Sequence, residues 1–212
     1  MACLALLAFC WAECIVGSYL SARGLDHLVH GSEISKPMVL ATVAMEDGKF
    51  YLHHGFDFDA LWHAVQVNLA RRKVVLGGST ITQQLAKNLF LEHDRTVMRK
   101  VKEAFLTMVL ERRLTKSQIL KLYTNSIDYG MGNSGIRNAA LSYFKKEPSQ
   151  LSLGEAATIV GIVPDPPKFS LKKERLARGR DTALSRITFF FPHIFSKSEL
   201  DQAKHTMIAS AQ

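Results

Sequence analysis

Glu46 and Asp47 stand side by side in VAMEDGKFYLHHGFD, residues 43–57, with His53 and His54 close behind. Acids and imidazoles this near one another admit three readings: a metal cage, an acid/base centre, or the polar end of a helix. A zinc-type cage needs ligands aimed at one point, as the two histidines of H-E-x-x-H are. Adjacent histidines instead diverge on a regular helix or strand, and no third ligand follows at a recognisable spacing. A carboxylate used as a base, with Phe50 and one histidine packed around it, accounts for the stretch better. A helix-end acid cluster remains the alternative.

The second chemical stretch is GGSTITQQLAKNLF, residues 77–90. Its glycine pair ends a loop, and the pattern predicts a helix from Ser79 or Thr80. Thr80, Gln83, Gln84 and Lys87 line one face of that helix; Ile81, Leu85 and Leu89 line another, which suits a core. Such a polar face is ordinarily solvated. One that opens at a glycine turn and a helix N-terminus also suits an anion.

In DRTVMRKVKEAFLTMVLERRL, residues 94–114, Asp94 reads as an N-cap and Met98, Val101, Phe105 and Met108 as the apolar stripe. Arg95, Arg99 and Glu103 recur every four residues on nearly the opposite side. As surface ion pairs they contribute only about 0.3–0.5 kcal/mol each, and Arg before Glu is the weaker order. A cationic strip that grips phosphate, with one carboxylate among the cations, explains the ladder better.

These groups need a scaffold. The chain has 212 residues, 47% of them apolar and 22% charged, enough for one domain with a sizeable core. Its net charge of +8 points to an anionic partner: nucleic acid, anionic lipid or a phosphorylated substrate. The opening MACLALLAFCWAECIVGSYL is almost unbroken apolar sequence, close to the ~20 residues that cross a bilayer as a helix. Glu13 lies at its centre, where a charge costs about 2.5–3.5 kcal/mol. A membrane anchor over residues 1–20 is expected, with an uncleaved signal or a buried helix as rivals, and residues 21–36 form a polar connector. A nucleic-acid module would explain the charge but not this segment. Cys3, Cys10 and Cys14 all fall in it, which excludes disulfides and cysteine-ligated metals from the rest. Beyond it, Thr115/Gln118, Ser152/Glu155 and Ser196/Glu199 have capping-box spacing. A Gly/Asn-rich loop, YGMGNSG, and a Pro-rich one, VPDPPKFS, separate helical patterns, and no run of alternating strands appears. The domain reads as mainly α.

Taken together, these stretches resemble the peptidoglycan glycosyltransferases of glycosyltransferase family 51, in particular its monofunctional biosynthetic transglycosylases. The family's E-D-x-x-F-x-x-H-x-G is met by Glu46, Asp47, Phe50, His53 and Gly55. G-x-S-T-I-T-Q-Q-x-x-K-N is met over residues 77–88, and R-K-x-x-E by Arg99, Lys100 and Glu103. K-x-x-I-L-x-x-Y-x-N is met by Lys116, Ile119, Leu120, Tyr123 and Asn125. GIRNAALSYFKK and LSLGEAATIVGIVPDPP follow in the family's order, so the likeness covers residues 37–204.

The resemblance implies a mainly α, lysozyme-like glycosyltransferase domain behind an N-terminal transmembrane helix, on the outer side of the bacterial cytoplasmic membrane. It implies polymerisation of lipid II into glycan strands, with inversion and release of undecaprenyl pyrophosphate. Glu46 then matches the general base, and Glu103 the second essential carboxylate, on the pyrophosphate side. Asp47, Ser79, Gln84, Lys87, Arg95, Arg99 and Lys100 match positions that bind substrate. A divalent cation, Mg or Mn, is compatible with that family pattern; no organic cofactor is implied. The partners implied are lipid II, the growing glycan, membrane lipids and other cell-wall synthesis proteins, not nucleic acid.

Two rivals remain. One is a lysozyme-like hydrolase with a carboxylate pair, against which the cationic strip speaks. The other is a catalytically idle membrane-anchored scaffold, against which intact Glu46 and Glu103 speak. Departures from the family pattern are Lys145, where glycine is usual, and the aromatic FFFPHIF, residues 189–195, expected to be core. Ser170 has the S-x-x-K spacing of a transpeptidase, but no K-T-G follows and chance explains it.

Overall fold

A computed structural model describes residues 2–23, 33–91, 96–164, 166 and 172–206. Among them the regular structure is ten α-helices and two 3-10 turns, with only an isolated bridge between Asp128 and Ser134. The mainly α expectation holds. The chain divides into two compact units: Met1–Val29 with Lys49–Tyr123, and His30–Gly48 with Thr124–Gln212.

In the first unit, α1 (Ala2–Arg23) runs three residues past the expected end of the apolar segment. It is long and apolar enough to cross a membrane. Ala12 and Val16 are buried, and the Glu13 carboxylate accepts hydrogen bonds from Arg112 Nε at 2.8 Å and Arg113 Nε at 2.7 Å. The charge that made the segment expensive is therefore met by two guanidiniums. After Asp57 caps α3 (Phe58–Ala70), an extended stretch leads to α4 (Ile81–Phe90). Thr80 caps α4 in a reciprocal box with Gln83. Both are buried, and Thr80 Oγ1 also donates to the Gly55 carbonyl at 2.7 Å. Part of the predicted polar face is thus spent on holding the helix.

α5 (Val97–Arg113) corrects the sequence reading twice. Its N-cap is Thr96; Asp94 and Arg95 lie outside the described residues. Its buried face is Glu103, Leu106, Thr107, Val109 and Leu110. Met98, Val101 and Met108 of the expected stripe are exposed, Met98 by 63%. The helix carries two apolar faces, and the one containing Leu106 and Leu110 wins because Arg99 and Lys100 allow Glu103 to go inside with it. α6 (Lys116–Ser126) follows, opened by the Thr115/Gln118 box.

In the second unit, α2 (Lys36–Glu46) begins at Ser35, whose side chain accepts from Met38 N, with proline in the first turn. α8 (Leu153–Ile162) is the core helix: all its residues except Gly161 are buried. Ser152 and Glu155 close its capping box, and Lys146 Nζ reaches Glu155 at 2.7 Å. Gly161 lets α9 (Lys173–Phe190) approach so closely that a Cβ there would sit 2.4 Å from the Gly179 carbonyl carbon. α10 (Lys197–Ala203) starts from the predicted Ser196/Glu199 box. α7 (Ile136–Phe144) ends at Lys145 in the left-handed region, φ +57°. That conformation is why glycine suits the position. The aromatic tail is not core as expected: Phe189 is 78% exposed, and Phe190, Phe191 and Phe195 are half-buried. Most of the Pro-rich loop, with Ser170, lies outside the described residues.

Candidate active site

Glu46 is the last residue of α2, half-buried, and the chain leaves the helix at Asp47, which is only 7% exposed. Asp47 N–H still bonds back to the Val43 carbonyl at 2.9 Å, so the acid pair sits on a helix end. The helix-end reading and the acid/base reading of the sequence therefore describe one place. Tyr129, from the Gly/Asn-rich loop, is fully buried nearby and was not singled out from the sequence. Burial pushes its phenol well above the usual range, and the Glu46 charge pushes the same way. Its hydroxyl donates to the Thr124 carbonyl at 3.3 Å. The loop is pinned in turn by Tyr143 Oη, which reaches the carbonyls of Tyr129 at 2.7 Å and Gly130 at 2.9 Å. Glu46 is thus placed beside a neutral aromatic hydroxyl on a rigid loop.

The first unit holds the other set. Glu103 is 2% exposed, on the buried face of α5. One oxygen accepts from Arg99 Nη1 at 3.3 Å and the other from Lys100 Nζ. Lys100 also donates to Ser79 Oγ at 3.3 Å, tying α5 to the turn before α4. Gly78 lets the same turn lie against α3: a Cβ there would lie 2.9 Å from Leu61 Cα. Ser79, Gln83, Lys100 and Asp57, whose carboxylate accepts from Ala60 N at 2.9 Å, form the polar border of a small cavity of about 130 Å³ whose other wall is Phe56, Phe58 and Leu61. A cation and a hydroxyl against an apolar wall suit an anionic head joined to an apolar tail.

Of the remaining candidates, Gln84 accepts from Tyr123 Oη at 3.0 Å and Lys87 stands exposed on α4. Neither is drawn into the Ser79–Lys100–Glu103 group by a described contact, and Arg95 lies outside the described residues. His53 packs edge-on to Phe50, ring centres 6.5 Å apart, and Lys116 Nζ sits 4.3 Å above the same ring. Among the described residues no three His, Cys, Asp or Glu side chains gather where they could hold a metal.

The sequence profile of the family described as Transglycosylase matches residues 16–188, most of the chain. The chain belongs to the transglycosylase family. The match begins inside α1 and takes in both sets of residues just described. A biosynthetic peptidoglycan transglycosylase of Ralstonia nicotianae is 43% identical over 160 residues, 75% of this chain and 68% of that one. One from Nitrosospira multiformis is 41% identical over 161 residues, 72% of this chain and 70% of that one. Penicillin-binding protein 1A of Escherichia coli is 43% identical over 157 residues, 73% of this chain but only 18% of its own length. As a transglycosylase, this chain is an enzyme of glycosyl transfer.

Proposed function

We propose that this transglycosylase polymerises peptidoglycan from lipid II at the outer face of the cytoplasmic membrane, with α1 as its anchor. The observation that carries the reading is the buried Glu103 flanked by Arg99 and Lys100, with Ser79 on the same lysine. Glycosyl transfer from a lipid pyrophosphate releases two phosphates' worth of charge, and fixed cations stabilise that charge as it develops. A hydrolase cutting a neutral glycosidic bond has no use for such a clamp.

In this reading the Glu46 carboxylate takes the proton from the acceptor sugar's 4-hydroxyl. The freed oxygen attacks the donor's anomeric carbon, and the bond from that carbon to the pyrophosphate oxygen breaks with inversion. The electron pair leaves with undecaprenyl pyrophosphate, whose charge Arg99, Lys100 and Ser79 receive. Glu103 holds the two cations in place rather than meeting the phosphates itself. Asp47, Gln84, Lys87 and Arg95 remain assigned to substrate through the family pattern alone. Among the described residues both Glu103 oxygens accept from cations and no cluster of three His, Cys, Asp or Glu donors surrounds them, which does not fit a resident divalent cation there. Membrane lipids and other cell-wall enzymes are the proposed neighbours.

The deciding experiment incubates detergent-purified protein with labelled lipid II and runs the products beside a Glu46→Gln variant. Glycan ladders from the wild type, and a loss of at least about a hundredfold in the variant, support the base assignment. If neither makes polymer while both bind lipid II, the chain is a scaffold and the mechanism is wrong.

A further inference from the structure

We infer that Arg186 and Phe190, near the end of α9, are positioning residues for the Glu46 carboxylate. The inference rests on the base role proposed above for Glu46. A helix leaves its last four carbonyls without intrahelical donors, and each needs another partner when buried. Ala44 is buried, and two residues before Glu46 its carbonyl accepts Arg186 Nε at 2.7 Å. The donor comes from 142 positions along the chain and carries a positive charge to the negative end of the helix dipole.

Arg186 is held in turn. Its guanidinium lies over the Phe190 ring, 5.5 Å from the centroid. The same ring covers Gly48, two residues after Glu46. A Cβ at position 48 would come within 2.2 Å of Phe190 Cε1 and 2.3 Å of Cζ. Gly48 is not among the residues with positive φ, so its backbone tolerates alanine and only the ring excludes it. The base is therefore gripped on both sides: Arg186 fixes the carbonyl before it, and Phe190 sits on the turn after it. The aromatic FFFPHIF segment, which neither the core nor the substrate groups account for, gains a role in this way. These contacts act on the backbone on either side of Glu46, so the effect belongs on turnover rather than on donor affinity.

The test measures kcat and KM for lipid II, with the thermal midpoint, in purified Arg186→Met, Arg186→Lys and Gly48→Ala. Arg186→Met keeps an unbranched side chain over Phe190 but removes the donor. We expect kcat to fall about tenfold with KM changed less than about twofold, since a small misplacement of a reacting group is costly. Arg186→Lys, which can still donate to Ala44, recovers most of the loss. Gly48→Ala lowers kcat similarly by forcing the Phe190 ring off the turn, and Phe190→Leu, which removes the ring, does so too. Wild-type kcat in both Arg186→Met and Gly48→Ala overturns the inference while leaving the proposed function standing. So does a rise in KM at constant kcat, or a loss in Arg186→Met that Arg186→Lys does not relieve. A wild type that makes no polymer removes the base role itself. Should Arg186→Met fail to fold, the Gly48→Ala and Phe190→Leu pair decides alone.

Discussion

The two units treat apolar side chains in opposite ways. Among the described residues, all but three of the large exposed hydrophobics belong to the first unit, on α1, the 3-10 turn at Phe50–Leu52, α3, the stretch after it and α5. Trp62 is 64% exposed there and Phe58 73%, while Glu103 is buried. The second unit is conventional: α8 is apolar and buried, and its one acid, Glu155, caps its own helix and meets Lys146. Exposed apolar surface on this scale marks a face made for something other than water. On the proposed function, the open apolar face of the first unit serves an amphiphilic substrate, while the second unit carries Glu46 on a closed, conventionally packed core.

The sharpest way to break that contrast is Glu103→Gln. If α5 is inverted to hold Arg99 and Lys100 for a leaving group, the neutral amide should cost about a hundred- to a thousandfold in kcat. Turnover within tenfold of wild type would make the buried carboxylate a packing feature, and the contrast would lose its chemical meaning.

Paired substitutions sharpen it next. Ile159→Ala in α8 removes a fully buried side chain and should cost about 2–5 kcal/mol in denaturant unfolding. Trp62→Ser on α3 should leave stability within about 0.5 kcal/mol, because that ring is largely exposed. Its effect should appear in activity, as a fall in turnover in lipid vesicles larger than in detergent. Equal stability losses at the two sites would show that the Trp62 face is covered by the protein itself.

Glu155 offers a smaller effect with a pH signature. Burial alone would raise its carboxyl, but hydrogen bonds from Lys146 and Ser152 outweigh that and hold it below the ordinary 4.5. A folded pKa below the unfolded one gives stability that is present above the unfolded value and lost as pH falls through the folded one. Glu155→Gln should therefore cost about 1–2 kcal/mol at pH 7, and the gap to wild type should close as the solution is acidified below pH 4.5. A gap constant down to pH 3 or so would assign the cost to shape rather than charge.

What was legible in the sequence follows the range of the interactions. The boxes at Thr115, Ser152 and Ser196 each close within three residues, so spacing alone revealed them. Gly78 and Ser79 were legible as a turn before a helix, and the meeting of Arg99, Lys100 and Glu103 as a helical repeat. The face of α5 was misread because an apolar stripe looks the same whether it meets a core, a lipid or another helix. Arg112 and Arg113 lie 99 and 100 positions from Glu13, so no local pattern could show that its charge is answered. Tyr129 and Arg186 were invisible for the same reason: what they do depends on a partner that only the fold brings near.

Lys145 is the mildest test and the most local. It closes α7 at φ +57° and ψ 34°, with its N–H directed to the Ala140 and Leu141 carbonyls. A Cβ in this region costs about 1–2 kcal/mol, partly offset for glycine by the greater freedom it loses on folding. Its Nζ contact to the Ser142 carbonyl, at 3.4 Å and exposed, contributes little. Lys145→Gly should thus raise stability by about 0.5–1 kcal/mol, which for a chain of this size moves Tm by about 1–4 °C. Because the change lies in the conventionally built unit and touches neither Glu46 nor Tyr129, polymerisation should proceed at the wild-type rate. A stabilised variant with reduced turnover would show instead that the strain at Lys145 reaches the neighbouring loop through Tyr143, and that this turn, like the end of α2, is tuned for chemistry at the expense of stability.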